Sequence, residues 1–170
     1  MNIVLTGFMA SGKTTVARVL GERLGYEVID TDKLIEDGAK KTINEIFALY
    51  GEEYFRRLEN EAIKNVSDFD NKVIATGGGA VLNPDNVSEL RKNGIIFNLA
   101  PDFSVIEQRI SDASKTRPLM QGQEIEAIRE RFISRQKFYD NCDYKIHIGI
   151  DTTPDMIADR IIEIFSEKNR

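Results

Sequence analysis

The chain has 170 residues, 41% hydrophobic and 30% charged, which suits a folded domain with its own core and excludes a disordered, low-complexity chain. Lys and Arg number 23 against 28 Asp and Glu, for a net charge of −5; this argues against a broad basic surface for nucleic acid but not against a local basic pocket. One cysteine and one histidine exclude an intrachain disulfide and a multi-histidine metal site.

Ile3-Val4-Leu5-Thr6 is a short apolar, β-branched run ended by Gly7, and it predicts a buried strand. A glycine-punctuated turn follows. Thr14 to Leu24 then has helical spacing, with Val16, Val19, Leu20 and Leu24 on one side and Gly25 as the stop. Tyr26 to Ile29 predicts a second strand running into Asp30-Thr31-Asp32. Residues 33–50 predict short helical pieces with Ile43, Ile46 and Phe47 on the apolar face. Gly51 punctuates them, and 52–66 predicts a further helix. Lys72 to Thr76 predicts a third strand, closed by Gly77-Gly78-Gly79. A helix at 84–92, a strand from Gly94 to Leu99, and a helix at 102–110 with Pro101 at its first turn come next. Ser111 to Gln123 is polar and aperiodic. A long helix is predicted over 124–139, a fifth strand from Tyr144 to Ile148, and a last amphipathic helix from Pro154 that buries Ile157, Ile161, Ile162 and Phe165.

Strands alternating with helices predict an α/β fold with a mainly parallel sheet covered on both faces. Ligands in such sheets bind at the carboxyl ends of the strands. The unusual residues lie there: 7–14, 30–32 and 77–79 each follow a strand. The opening MNIVLTG has no basic leader, and no run is long enough to span a bilayer. With one cysteine, a reducing, cytoplasmic setting is the simple expectation.

Gly7 to Thr14 fits G-x-x-x-x-G-K-[ST] between a strand and a helix. Glycines let the backbone curl so that successive N–H groups face phosphates, and the helix N-terminus adds unpaired donors. Lys13 can reach the β and γ phosphates, and Thr14 can offer its hydroxyl to Mg²⁺. The motif says nucleoside triphosphate; kinases, GTPases and ATPases share it.

Asp30 and Asp32 are spaced i, i+2, so in extended backbone both carboxylates point to one side, about 7 Å apart. One can serve Mg²⁺ and the other an acceptor hydroxyl; a turn or helix cap is the alternative. Arg56-Arg57 lies among Glu52, Glu53, Glu59 and Glu61, which reads as a salt-bridged surface helix. Arg129, Arg131 and Arg135 lie on the long helix, with Arg131 and Arg135, and Arg135 and Tyr139, one turn apart. They are either solvated or forks for a small carboxylate. Gly77-Gly78-Gly79 suggests backbone close to a ligand or a sharp turn. Arg117-Pro118-Leu119 suits a lid over phosphates and equally a simple loop. Cys142 and His147 read as structural, and Phe8 and Met9 as packing against neighbouring loops.

The segments GFMASGKTT, IDTD, INEIF, GEEYFRRLE, ATGGGAV, RPLM and RFISRQKFYDNCDY, in this order and spacing, resemble the shikimate kinases over nearly the whole chain. The resemblance implies a P-loop NTPase fold like that of adenylate kinase: three layers, α/β/α, around a five-stranded parallel sheet. It implies one domain over 1–170, a substrate-binding region at about 31–60 and a lid at about 110–123. The implied reaction moves the γ-phosphoryl group of ATP to the 3-hydroxyl of shikimate, giving 3-phosphoshikimate and ADP with Mg²⁺ present; another small hydroxylated acid such as gluconate is the alternative acceptor. By matching motif, Ala10, Ser11, Gly12, Lys13, Thr14 and Thr15 would hold ATP with Arg109 and Arg117. Thr14 and Asp30 would serve Mg²⁺. Lys13, Asp32 and Arg117 would be catalytic. Asp32, Arg56, Gly77, Gly78, Gly79 and Arg135 would bind the acceptor. The partners implied are small molecules, with no nucleic acid or membrane, and the chain would act as a monomer. Three departures stand out: the family commonly has glycine at the position of Ala10, Gly38 is displaced in the segment leading to Ile43, and 151–154 lacks an arginine that some relatives place near adenine.

Overall fold

The computed structural model describes residues 1–114 and 122–168. Its sheet orders the strands β2-β3-β1-β4-β5, with β1 Asn2–Thr6, β2 Glu27–Asp30, β3 Lys72–Ala75, β4 Gly94–Pro101 and β5 Tyr144–Ile148. Every pairing is parallel. β1 is central, so both its faces are covered and Ile3, Val4 and Leu5 are all 0% exposed. This explains why it reads as an unbroken apolar run rather than an alternating one. Each such side chain contributes about 1.5–3 kcal/mol on burial.

Helices α1 (Lys13–Leu24) and α7 (Pro154–Lys168) cover one face. Val16, Ala17 and Leu20 of α1 meet Ile157, Ala158 and Ile161 of α7 in one core. The other face takes α3 (Ile43–Ser67), α4 (Pro84–Lys92), α5 (Phe103–Ser114) and α6 (Gly122–Tyr139), through Ile63, Val87, Leu90, Ile106 and Ile128. A third, smaller core joins α2 (Thr31–Ala39) to α3 through Ile35, Ile46, Phe55 and Ala62. The result is a three-layer α/β/α fold with a five-stranded parallel sheet, as the alternating pattern predicts. Gly51 has φ 81 and ψ 173 inside α3, so it divides that helix in two. No described helix is long and apolar enough to cross a membrane.

Three local readings change. Pro101 ends β4 opposite Ile148 instead of opening a helix. Proline has no N–H for the ladder, and the next bond to the Ile148 carbonyl comes from the Asp102 N–H. Residues 111–114 continue α5, although they are polar, because a helix already anchored by buried Val105, Ile106 and Ile110 carries an exposed turn. Asp30 and Asp32 do not share an extended strand. β2 stops at Asp30, and its side chain caps α2, accepting from the N–H groups of Asp32 and Lys33 at 3.0 and 3.2 Å.

Because the strands run the same way, the segments after neighbouring β2, β3 and β1 leave the sheet at one edge. The phosphate loop, Asp30–Asp32 and the three glycines meet there.

Candidate active site

The loop from Gly7 to Gly12 enters α1 at Gly12, which has φ 94 and gives no side-chain cap. Val16 makes the first backbone bond into the helix, to Gly12, so the N–H groups of Lys13, Thr14 and Thr15 are its open donors. The Lys13 ammonium folds over its own loop, donating to the carbonyls of Gly7 and Phe8 at 2.7 and 2.9 Å and to Ser11 Oγ at 3.2 Å. Burial lowers its pKa to about 8, against the pull of Asp32 and Asp30. Such an ammonium gains most from a new anionic partner, which is what a phosphate supplies.

Beside the loop, Thr14 Oγ1 donates to Asp30 Oδ2 at 3.2 Å. Mg²⁺ takes hard oxygens at about 2.0–2.1 Å in an octahedron whose neighbouring corners lie about 2.9 Å apart. The Thr14–Asp30 pair fits such an ion, directly or through one water. Among the described residues no group of three or more His, Cys, Asp or Glu side chains is placed to hold a metal, so phosphate and water must supply its other ligands.

Asp32 is the second carboxylate. Its Oδ1 is buried with no hydrogen-bond partner in the described structure. Burial, then Asp30 and Glu59, push its pKa up to about 6, against Lys13. At neutral pH it is an ionised carboxylate with an empty acceptor position. A Cβ at Gly77 would lie 2.4 Å from that same oxygen, so glycine there leaves room for the carboxylate.

The expected acceptor residues come from α3, the glycine turn and α6. Arg56 forms an ion pair with Glu59 at 2.7 Å and with Glu52 at 3.1 Å. The Glu59 side chain is 1% exposed, which overturns the reading of that residue as part of a solvated charged face. Burial raises the Glu59 pKa against Arg56 and Arg135, and its Oε1 has no partner among the described atoms. The Glu59 carboxylate thus feels two guanidinium charges, that of Arg56 in direct contact. A Cβ on Gly79 would fall 2.5–2.9 Å from the Arg56 guanidinium, so this glycine clears space for the arginine. Gly78 is different, since its Cβ would find nothing nearer than 3.5 Å. The glycines are thus explained first by the side chains that cross them.

On the nucleotide side, Arg109 donates from Nη1 to the Ala10 carbonyl at 2.8 Å. Arg109, Thr15, Val16, Pro154 and Ile157 line a recess beside the loop. This recess has an apolar wall and one guanidinium, which suits a flat base. Pro154 and Ile157 supply the apolar wall of this recess next to the 151–154 segment that lacks the arginine. Arg117 and most of the lid lie outside the described residues. Arg129 pairs with Glu126 at 3.6 Å and covers the Phe103 ring at 4.5 Å, away from this cluster.

Residues 9–166 match the family described as shikimate kinase. The chain belongs to the shikimate kinase family. The shikimate kinase of Caldicellulosiruptor saccharolyticus is 45% identical over 168 residues, spanning 98% of this chain and 96% of the relative. That of Caldanaerobacter subterraneus is 47% identical over 165 residues, spanning 96% and 95%. Among solved structures, the Acinetobacter baumannii shikimate kinase in complex with shikimate has a TM-score of 0.86 at 33% identity, covering 99% of this chain and 95% of that one. The Bacteroides thetaiotaomicron enzyme has a TM-score of 0.88 at 31% identity, covering 98% of both.

Two departures from the shikimate kinase pattern gain a physical meaning. Ala10 has φ 57 and Lys40, the C-cap of α2, has φ 56. Both are left-handed positions where glycine is favoured, so the side chains there carry backbone strain. Four residues escaped the sequence reading of this shikimate kinase site: Glu59, Tyr139, Pro154 and Ile157. Only Glu59 and Tyr139 had a signal, their spacing of three and four from Arg56 and Arg135, and helical spacing alone does not separate a buried pair from a solvated one.

Proposed function

We propose that the chain transfers the γ-phosphoryl group of ATP to the 3-hydroxyl of shikimate, with Asp32 as the group that receives the hydroxyl proton. The observation that carries this reading is the buried, unpartnered Oδ1 of Asp32, close enough to the Lys13 ammonium for the two charges to attract. A substrate hydroxyl satisfies that oxygen. As the hydroxyl oxygen bonds to the γ-phosphorus, its proton passes to Asp32, the bond to the β-phosphate oxygen breaks, and ADP leaves with the electron pair.

Lys13 and the open N–H groups of α1 neutralise charge on the phosphoryl oxygens. Thr14 and Asp30 would hold Mg²⁺, which when bound adds positive charge on the β and γ phosphates. Arg109, Pro154 and Ile157 fit the adenine. Arg56, held by Glu59 and Glu52, and Arg135 suit the acceptor carboxylate, because a guanidinium fork matches a carboxylate in charge and shape. The family resemblance would give Arg117, which lies outside the described residues, a role at the transferring phosphate.

The test is ADP release coupled to a dye, with ATP and Mg²⁺ and one acceptor per well: shikimate, quinate, gluconate or a nucleoside monophosphate. Release with shikimate alone is expected. Equal release with gluconate would move the acceptor assignment, since the arginine pair would then be selecting any hydroxy acid.

A further inference from the structure

α6 ends at Tyr139, one turn beyond Arg135. Tyr139 is 2% exposed. Its phenol oxygen donates to the Gly78 carbonyl in a short bond, close to the Arg135 guanidinium. The ring stands edge-on to Phe8 of the phosphate loop, with centroids 6.4 Å apart. Phe8 is itself edge-on to Phe132 of α6 at 5.4 Å. Aromatic packing thus fixes where the ring sits, and the hydroxyl has one place to be. Burial holds the phenol above its usual pKa against Arg135 and Arg56, so the O–H is present to donate.

The consequence lies in the peptide between Gly78 and Gly79. In a trans peptide the C=O and the following N–H point in opposite directions. With its oxygen held by Tyr139, this peptide turns the Gly79 N–H away from α6. Among the described residues no backbone bond uses that N–H, and the Arg56 guanidinium passes directly over Gly79. Two glycines in a row leave the peptide free to rotate unless something outside holds it.

We propose that Tyr139 is a positioning residue for the acceptor: its hydroxyl holds the Gly78–Gly79 peptide near the Arg135 guanidinium, so that an N–H donor faces the same hydroxylated carboxylate as that fork. The inference rests on the acceptor reading given above. It also ties the acceptor side to the phosphate loop through a single ring.

The test is Tyr139→Phe, which keeps the ring against Phe8 and removes one oxygen. Shikimate KM is expected to rise about 10-fold, the scale of one lost hydrogen bond. The expected kcat stays within about twofold, with ATP KM and the thermal midpoint little changed. A double-mutant cycle with Arg135→Lys adds a readout that packing does not move: the two effects on shikimate KM should combine to less than their product. An unmoved shikimate KM, a parallel rise in ATP KM, or effects that simply multiply each overturn the proposal. Wild-type enzyme in the same plates separates the two levels. If wild type does not turn over shikimate, the acceptor reading fails and this inference with it. If wild type works and Tyr139→Phe matches it, the inference fails alone.

Discussion

The candidate nucleotide half of the site comes from one stretch of backbone, whereas the proposed acceptor half gathers side chains from three helices and backbone from a glycine turn. Residues 7–15 carry the loop glycines, the lysine, the threonines and the helix N-terminus in a single run. Their geometry is local: Gly12 at φ 94 and a helix with no side-chain cap leave donors pointing outward whatever the rest of the chain does. The acceptor half needs Asp32 from α2, Arg56 and Glu59 from α3, the glycine turn after β3, and Arg135 with Tyr139 from α6. No two of these elements are useful there until the sheet has brought them to one edge. A backbone cradle tolerates change around it, while a side-chain pocket depends on the neighbours that hold each group.

Damage should follow that contrast. The largest expected effect is on the nucleotide side. Lys13→Met should cut kcat about 10³-fold, without lowering the melting temperature, because the replaced ammonium is one that burial already disfavours. Turnover near the wild-type level would remove Lys13 from phosphoryl transfer.

Asp32→Asn comes next, with a loss in kcat of about 10²–10³-fold. It should also stabilise the protein by about 2 kcal/mol near pH 8. The native carboxyl has its pKa raised from 3.8 to about 6, so the folded state holds the proton more tightly than the unfolded one. The penalty of the ionised form is therefore fully present above about pH 6 and gone below about pH 4, and the advantage of the variant should fade over that window. Denaturant melts at both pH values check the sign, and a constant difference would mean that Asp32 is not strained by burial.

Arg56→Ala tests the acceptor half itself, with shikimate KM expected to rise about 10²-fold and ATP KM to stay within a few-fold. It should also cost stability, since it leaves the Glu59 carboxylate, 1% exposed, with less compensation. A shikimate KM unaffected by the change would take Arg56 out of the pocket.

The free enzyme should show a bell in kcat/KM against pH. The acid limb rises as Asp32 ionises near pH 6, and the alkaline limb falls as Lys13 loses its proton near pH 8. In Asp32→Asn the acid limb should disappear while the alkaline one stays. The smallest effect lies outside both halves. Lys40→Gly relieves a left-handed lysine at φ 56 and should add about 1 kcal/mol of stability with unchanged kinetics.

The same contrast governs how much could be read beforehand. The order of strands and helices was legible because apolar runs and glycine stops act over a few residues. Pro101 misled for the same reason: a proline before a helix is a good local sign, and only the pairing of β4 with β5 put it in the sheet. Glu59 misled because a glutamate three residues from an arginine looks alike on a wet face and in a buried pair. The glycine triplet was legible as special, but its reason was not, since Gly77 and Gly79 make room for Asp32 and Arg56, which come from other elements.

What the sequence determined by itself is the α/β alternation, the phosphate loop and the candidate carboxylates and arginines, because each is written in neighbouring residues or in helical and strand periodicity. The tertiary structure alone decided that Asp30 caps a helix while Asp32 keeps a buried oxygen open, that Glu59 is buried against Arg56, and that Tyr139 reaches the Gly78 carbonyl. Those outcomes depend on contacts between residues far apart in the chain, and parallel strands place them at one edge only after the sheet has closed its order.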